Sequence, residues 1–209
     1  MSTRTILSTV GRLVLAGACV ISSACGGELM RTGRSSVFLT VESMSATPGG
    51  GGAQSAFLMS DVQVLVDQTV NGVTTKVPTI FNDTVTASIR SNEKNPDAVA
   101  TLISGVTLTR YHVEFRRTDG RNTPGVDVPF AFDGGLGVNI GPGSIAQVTI
   151  DLVRHQAKLE PPLKNLASIG GQGFISTIAE ITFYGRDQNG NEIAVTGRID
   201  VQFGDFGDS

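Results

Sequence analysis

After Cys25 the chain has no cysteine, and tryptophan is absent altogether. A disulfide framework across the body is thereby excluded, since a Cys19–Cys25 pair would staple only the N-terminal region. Histidine is nearly as scarce, with His112 and His155 alone. A zinc centre would need both plus carboxylates, and His112 falls inside an alternating segment, where a strand histidine is the simpler assignment. No basic stripe of the kind nucleic acid requires is present: 16 Lys and Arg stand against 19 Asp and Glu. Arg110, Arg116 and Arg117 are interrupted by Glu114, and on a strand residues 116 and 117 face opposite ways. Nucleic acid is therefore not an expected partner.

Catalytic signatures are missing too. There is no G-x-S-x-G elbow, so neither histidine has the strained serine of a hydrolase. PGGGGAQS (48–55) lacks the Lys-Ser or Lys-Thr of a phosphate loop and reads as a mobile loop. Asp205-Phe206-Gly207 matches a kinase triplet without the other kinase segments, and is expected to be a strand end running into an acidic terminus. Glu180 with Glu192 or Asp187 has the composition of a glycosidase acid pair, but nothing in the sequence places them face to face. The expectation is a protein that is not an enzyme and carries no cofactor.

What the chain does have begins at its start. Arg4 and Arg12 precede the apolar run LVLAGACVI, and the small residues SSA follow. Basic start, apolar middle and small-residue end are the order of a secretory signal, and the run is shorter than the roughly 20 residues a membrane span takes. The stretch SSACGG, with Ser23-Ala24 before Cys25 and Gly26-Gly27 after it, resembles the lipobox of bacterial lipoproteins. That resemblance implies a signal over 1–24, lipid attachment at Cys25, and a membrane-anchored location in the bacterial cell envelope. Cys19, in LAGAC, is the rival, although apolar residues follow it rather than a polar tether. Several acyl chains on one cysteine hold a protein where a single chain binds only marginally.

The segment 25–36 is expected to be a flexible tether, and 37–209 the domain. With 26 glycines and abundant Thr and Val, this body favours strands and tight turns. Val37, Leu39 and Val41 alternate in a first strand; Val62, Val64 and Val66 share a face in a second, closed by Asn71-Gly72 as a two-residue hairpin turn. Residues 84–91 form another. In 106–118 Tyr111, Val113 and Phe115 share one parity and Val106 and Leu108 the other, which predicts a bulge or a change of buried face. VDVPFAF and LGVNI are expected as separate short strands on either side of DGG. Residues 144–155 turn Ala146, Val148, Ile150 and Leu152 inward, and a short helical turn is expected after Pro162. The last pair turns near Asn189-Gly190, with Ile193, Val195, Ile199, Val201 and Phe203 in one row, and Gly197 in that row predicts a close approach or a bulge.

About seven to nine such strands predict an all-β, antiparallel sandwich. The strand count and the RDQNGNEI turn resemble a bacterial immunoglobulin-like domain. Asp187, Asn189 and Asn191, with Glu192, offer alternate oxygens to calcium, but their spacing departs from the EF-hand loop, and a hairpin turn uses the same residues without metal. Asp119, Asp127 and Asp133 read as turn residues. Taken together, these features lead to a non-enzymatic envelope lipoprotein whose module binds an envelope protein or glycan, or serves structurally. A secreted soluble carbohydrate- or protein-binding sandwich and a hydrolase on a β scaffold are the alternatives, the former weakened by a content of only 2 Tyr.

Overall fold

The computed structural model describes residues 33–97, 99, 101–167 and 173–206. Cys19, Cys25 and the expected leader lie outside them. Alternating β-branched and aromatic residues form ten strands in the described chain, one more than the upper expectation. The first five are β1 (Val37–Thr47), β2 (Phe57–Asp61), β3 (Val64–Val70), β4 (Val73–Thr79) and β5 (Asp83–Glu93). The rest are β6 (Val106–Arg116), β7 (Phe132–Ile140), β8 (Ile145–Val153), β9 (Phe174–Asp187) and β10 (Glu192–Gly204). Two short helices, α1 (His155–Lys158) and α2 (Leu163–Ala167), follow β8, the second at the turn expected after Pro162.

β1, β5 and β8 make a three-stranded sheet; β2, β10, β9, β6 and β7 make a five-stranded one. Neighbours run antiparallel except β2, which pairs parallel with β10. The inward rows of both sheets enter one core: Val85, Ala87 and Ile89 from β5, Val148, Ile150 and Leu152 from β8, and Ile199, Val201 and Phe203 from β10. Phe115 meets Phe203 edge to face with ring centroids 5.4 Å apart. Each large aliphatic or aromatic side chain so buried contributes about 1.5–3 kcal/mol, which gives the body its stability without a disulfide.

The parity change in β6 is a bulge: the register with both β7 and β9 shifts between Leu108 and Arg110. It turns Val106 and Leu108 inward on one side of the shift and Tyr111, Val113 and Phe115 inward on the other. The row on β10 falls as expected, and Gly197 is a close approach. A Cβ there would collide with Sδ of Met44 and stand 3.3 Å from a Val41 methyl, where β1 crosses β10.

Several expectations are corrected. Val62 is buried, but Val64 is only partly covered and Val66 is exposed, because β3 pairs with β4 alone and belongs to neither larger sheet. The strands expected on either side of DGG are one strand, β7, which runs through Gly134 and Gly135; VDVPF before it is irregular apart from an isolated bridge between Pro124 and Val128. The strand predicted to reach His155 stops at Val153, and His155 opens α1. Nor is the glycine stretch 48–52 a loose loop throughout: a Cβ on Gly49 would overlap Phe81 and the Asn82 carbonyl, and its amide donates to Asp83 at 2.7 Å. The end of the expected tether is docked as well. Ser35 is buried and hydrogen-bonded to Asp187, and the Ser36 carbonyl accepts from the Lys94 amide at 2.9 Å.

Candidate functional site

Strand direction divides the body into two ends. β1 runs away from the point where the described chain begins, and β6, β8 and β10 run the same way. Eleven residues of β6 separate the ends by about 36 Å. The near end holds Ser35, Lys94, the turn 101–105, and the turns at 141–144 and 188–191. At the far end lie the β3–β4 ribbon, the loop 117–131 and the helices α1 and α2.

The ribbon is the most unusual of these. Asn71 and Gly72 take φ of 53° and 79°, the positive pair required by a tight two-residue hairpin. Val66 is registered with Val77 and Val70 with Val73, so one face of the ribbon carries two valine pairs with the Gln68–Thr75 pair between them, and both Val70 and Val73 are exposed. Asp67 opposes Lys76 on the other face. A two-stranded ribbon is marginal by itself in water, so its root matters.

That root is clamped by a buried ion pair. Lys158 Nζ stands 2.9 Å from Asp83 Oδ2, with the side chains only 2 % and 1 % exposed. Asp83 also accepts from the Ser60 hydroxyl at 2.6 Å and from the Gly49 amide at 2.7 Å. A buried carboxylate needs such a full set of donors, because desolvation is costly. Beside it, Asn82 Oδ1 accepts from the His155 amide at 2.7 Å and lies 3.0 Å from His155 Nδ1. The strand leading into the ribbon, the strand leaving it, the glycine loop and α1 are thus tied together four residues from its base.

A second feature of the far end is a cavity of about 130 Å³ between Phe130, Phe132, Arg154, Gln156 and Glu160. Arg154 lies 3.8 Å over the Phe132 ring and donates to the Asp133 carbonyl at 2.6 Å. The volume suits one side chain rather than a whole small-molecule ligand. Exposed Val126, Phe130 and Phe174 belong to the same end. On the loop beside them, Arg117, then the Arg121 amide and guanidinium, hold the Asp119 carboxyl well below its usual range.

The residues singled out from sequence are spread over the fold. Asp187 is committed to the β9–β10 turn: Oδ1 accepts from the amides of Asn189 at 3.0 Å and Asn191 at 2.8 Å, and Oδ2 from the Asn191 side chain at 2.9 Å. Burial pushes this carboxyl up, but the donors from Asn191, Ser35 and Asn189 outweigh it and the net displacement is downward. The structure brings Asp187, Asn189 and Asn191 together as a turn. Among the described residues no group of three or more His, Cys, Asp or Glu is placed to hold a metal.

His112 Nδ1 lies 3.2 Å from Asp133 Oδ1 on the outer face of β6, whereas His155 opens α1 with its ring nitrogen 3.0 Å from Asn82. Glu180 is registered opposite Arg198 and bonded to it at 2.6 Å, whereas Glu192 lies opposite Arg186. Six registers separate these two carboxylates along β10, about 20 Å, so they do not form a facing acid pair. Phe206 folds its ring back over Gly204. The sequence reading missed Asp83, Ser60 and Lys158. Asp83 and Lys158 lie 75 residues apart, and the only local hint is the polar Asn82-Asp83 step that opens an apolar strand.

Neither a protein-family model nor a curated protein matches the chain. Among the described residues no helix is long and apolar enough to cross a membrane.

Proposed function

We propose that the protein is a non-enzymatic lipoprotein of the bacterial cell envelope, lipidated at Cys25, whose body is an immunoglobulin-like β-sandwich that presents its far end to an envelope protein or glycan. The strand order supports the fold part. β1-β5-β8 corresponds to strands A, B and E of an immunoglobulin-like sandwich, and β10-β9-β6-β7 to G, F, C and the extra strand beside C in the variable type. In this correspondence the β3–β4 ribbon is an insertion ahead of strand B.

The observation that carries the functional part is the polarity of the body. The chain enters at one end, beside Ser35 and Asp187, and the rooted ribbon, the 130 Å³ cavity and the exposed Phe130 and Phe174 emerge at the other. A module tethered by its N-terminus offers that opposite end to partners, and loops and exposed sheet edges carry binding on such scaffolds. The reading is of a binding or structural module rather than an enzyme, because Asp83, Asp187, His112 and His155 are each engaged by structural partners.

The test is the intact mass and membrane fractionation of the chain produced in a bacterial host, beside a Cys25→Ser variant. The expected result is a chain that begins at Cys25, carries acyl groups and sediments with membranes, with all three properties lost in the variant. A native chain that is soluble, unacylated and unaffected by the substitution overturns the anchor.

A further inference from the structure

The two most exposed large apolar side chains described are Leu102, at 89 %, and Val99, at 85 %, with exposed Ile103 adjacent. Leu102 and Ile103 form a single 3-10 turn that leads into β6. From Ala98 to Thr109 the sequence carries no charged side chain. Three outward aliphatic groups in an uncharged segment are costly to display in water unless something covers them.

Their position says what does. Lys94, at the head of this segment, donates its amide to Ser36 at 2.9 Å and its ammonium to the Gly33 carbonyl at 3.2 Å. At the segment's other end, a Cβ on Gly105 would stand 3.7 Å from Gln188, in the turn whose Asp187 holds Ser35. The apolar turn therefore sits where the chain enters the body. Cys25 precedes Gly33 by eight residues, a reach of at most about 28 Å.

We infer that Val99, Leu102 and Ile103 form a membrane-contact loop that rests in the interfacial layer of a phospholipid bilayer. The inference builds on the proposed Cys25 anchor. Anchor and loop act as two attachments on one end of the body. The tether brings the loop to the surface, and the loop fixes the body's orientation so that the β3–β4 ribbon faces away. Val66, Val70 and Val73 cannot be the bilayer contact while that loop is engaged, since they emerge from the opposite end.

The absence of tryptophan makes a direct test simple. A Leu102→Trp chain is produced in its native lipidated form and placed in vesicles of phosphatidylethanolamine and phosphatidylglycerol, with and without bromine on the acyl chains. A Val70→Trp chain serves as the far-end control, and flotation reports anchoring separately. The expected result is blue-shifted emission of the residue-102 reporter and its loss with brominated lipid, with no change for the residue-70 reporter. Chains that float but leave residue 102 unquenched overturn the loop contact while the anchor stands; a blue shift without bromine quenching means protein covers the loop, and overturns it equally. If the chains do not float the anchor fails, and quenching at residue 102 on added vesicles then decides the loop by its presence or absence.

Discussion

Replacing Lys158 by Met keeps the aliphatic stem and removes the ammonium, leaving the Asp83 carboxylate buried with only the Ser60 and Gly49 donors. Removing one partner of a buried ion pair costs about 3–5 kcal/mol, because an uncompensated charge remains in a low-dielectric site. With a urea dependence of about 2 kcal/mol/M, the unfolding midpoint is expected to fall by about 2 M. Equilibrium urea unfolding followed by circular dichroism is the assay. A double-mutant cycle with Asp83→Asn separates the pair from its surroundings. Asp83→Asn with Lys158→Met buries a neutral pair, so it is expected to lose far less than the sum of the single variants, a coupling of at least about 2 kcal/mol. A midpoint shift of Lys158→Met below about 0.5 M, or additive single effects, would refute the claim that this pair clamps the root of the ribbon.

Other consequences follow from the same geometry. Gly197→Ala drives a methyl into Met44, at a cost of about 1 kcal/mol or 2–4 °C in Tm, and adding Met44→Ala is expected to restore most of it; a melt in which the second change deepens the loss contradicts the close approach. Gly72→Val forces a branched residue into φ of 79° and is expected to raise amide hydrogen exchange across β3 and β4 while moving the global Tm by no more than about 2 °C. Should the whole domain lose stability, the ribbon is not the separate element its pairing implies. The lowered carboxyl of Asp187 contributes stability that is fully present above the unfolded value of about 3.9 and is lost as pH falls through the lower folded value. Urea midpoints of the native chain and Asp187→Asn are thus expected to converge as pH drops from about 5 to 2, and a constant gap contradicts that linkage.

Where a strand has one buried face the sequence displays it. The rows on β8 and β10 were legible residue by residue, because side chains two apart share a face and each row meets the opposite sheet. The same alternation misled at Val62, Val64 and Val66. Period two shows that side chains share a face, not that the face is covered, and Val66 on β3 is left exposed. Gly134 and Gly135 looked like a break between strands, yet β7 passes through them because its pairing with β6 supplies backbone bonds that do not depend on side chains. β2 was invisible for a different reason: its five residues are too short to show a period, and what makes them a strand is β10, more than 130 positions later in the chain.

The candidate site was the least legible part, for a reason that bears on its function. Its residues are held by long-range contacts such as Lys158 to Asp83, which leave no local spacing to read. The core requires only that apolar rows meet, and this can be written strand by strand. The ribbon root instead requires separate pieces of chain to converge, here β2, the glycine loop and α1 on one carboxylate. A buried polar cluster is a costly way to hold a fold that apolar contacts already stabilise. It sits under a ribbon that belongs to neither larger sheet, and the contact it supplies there is one that sheet pairing does not.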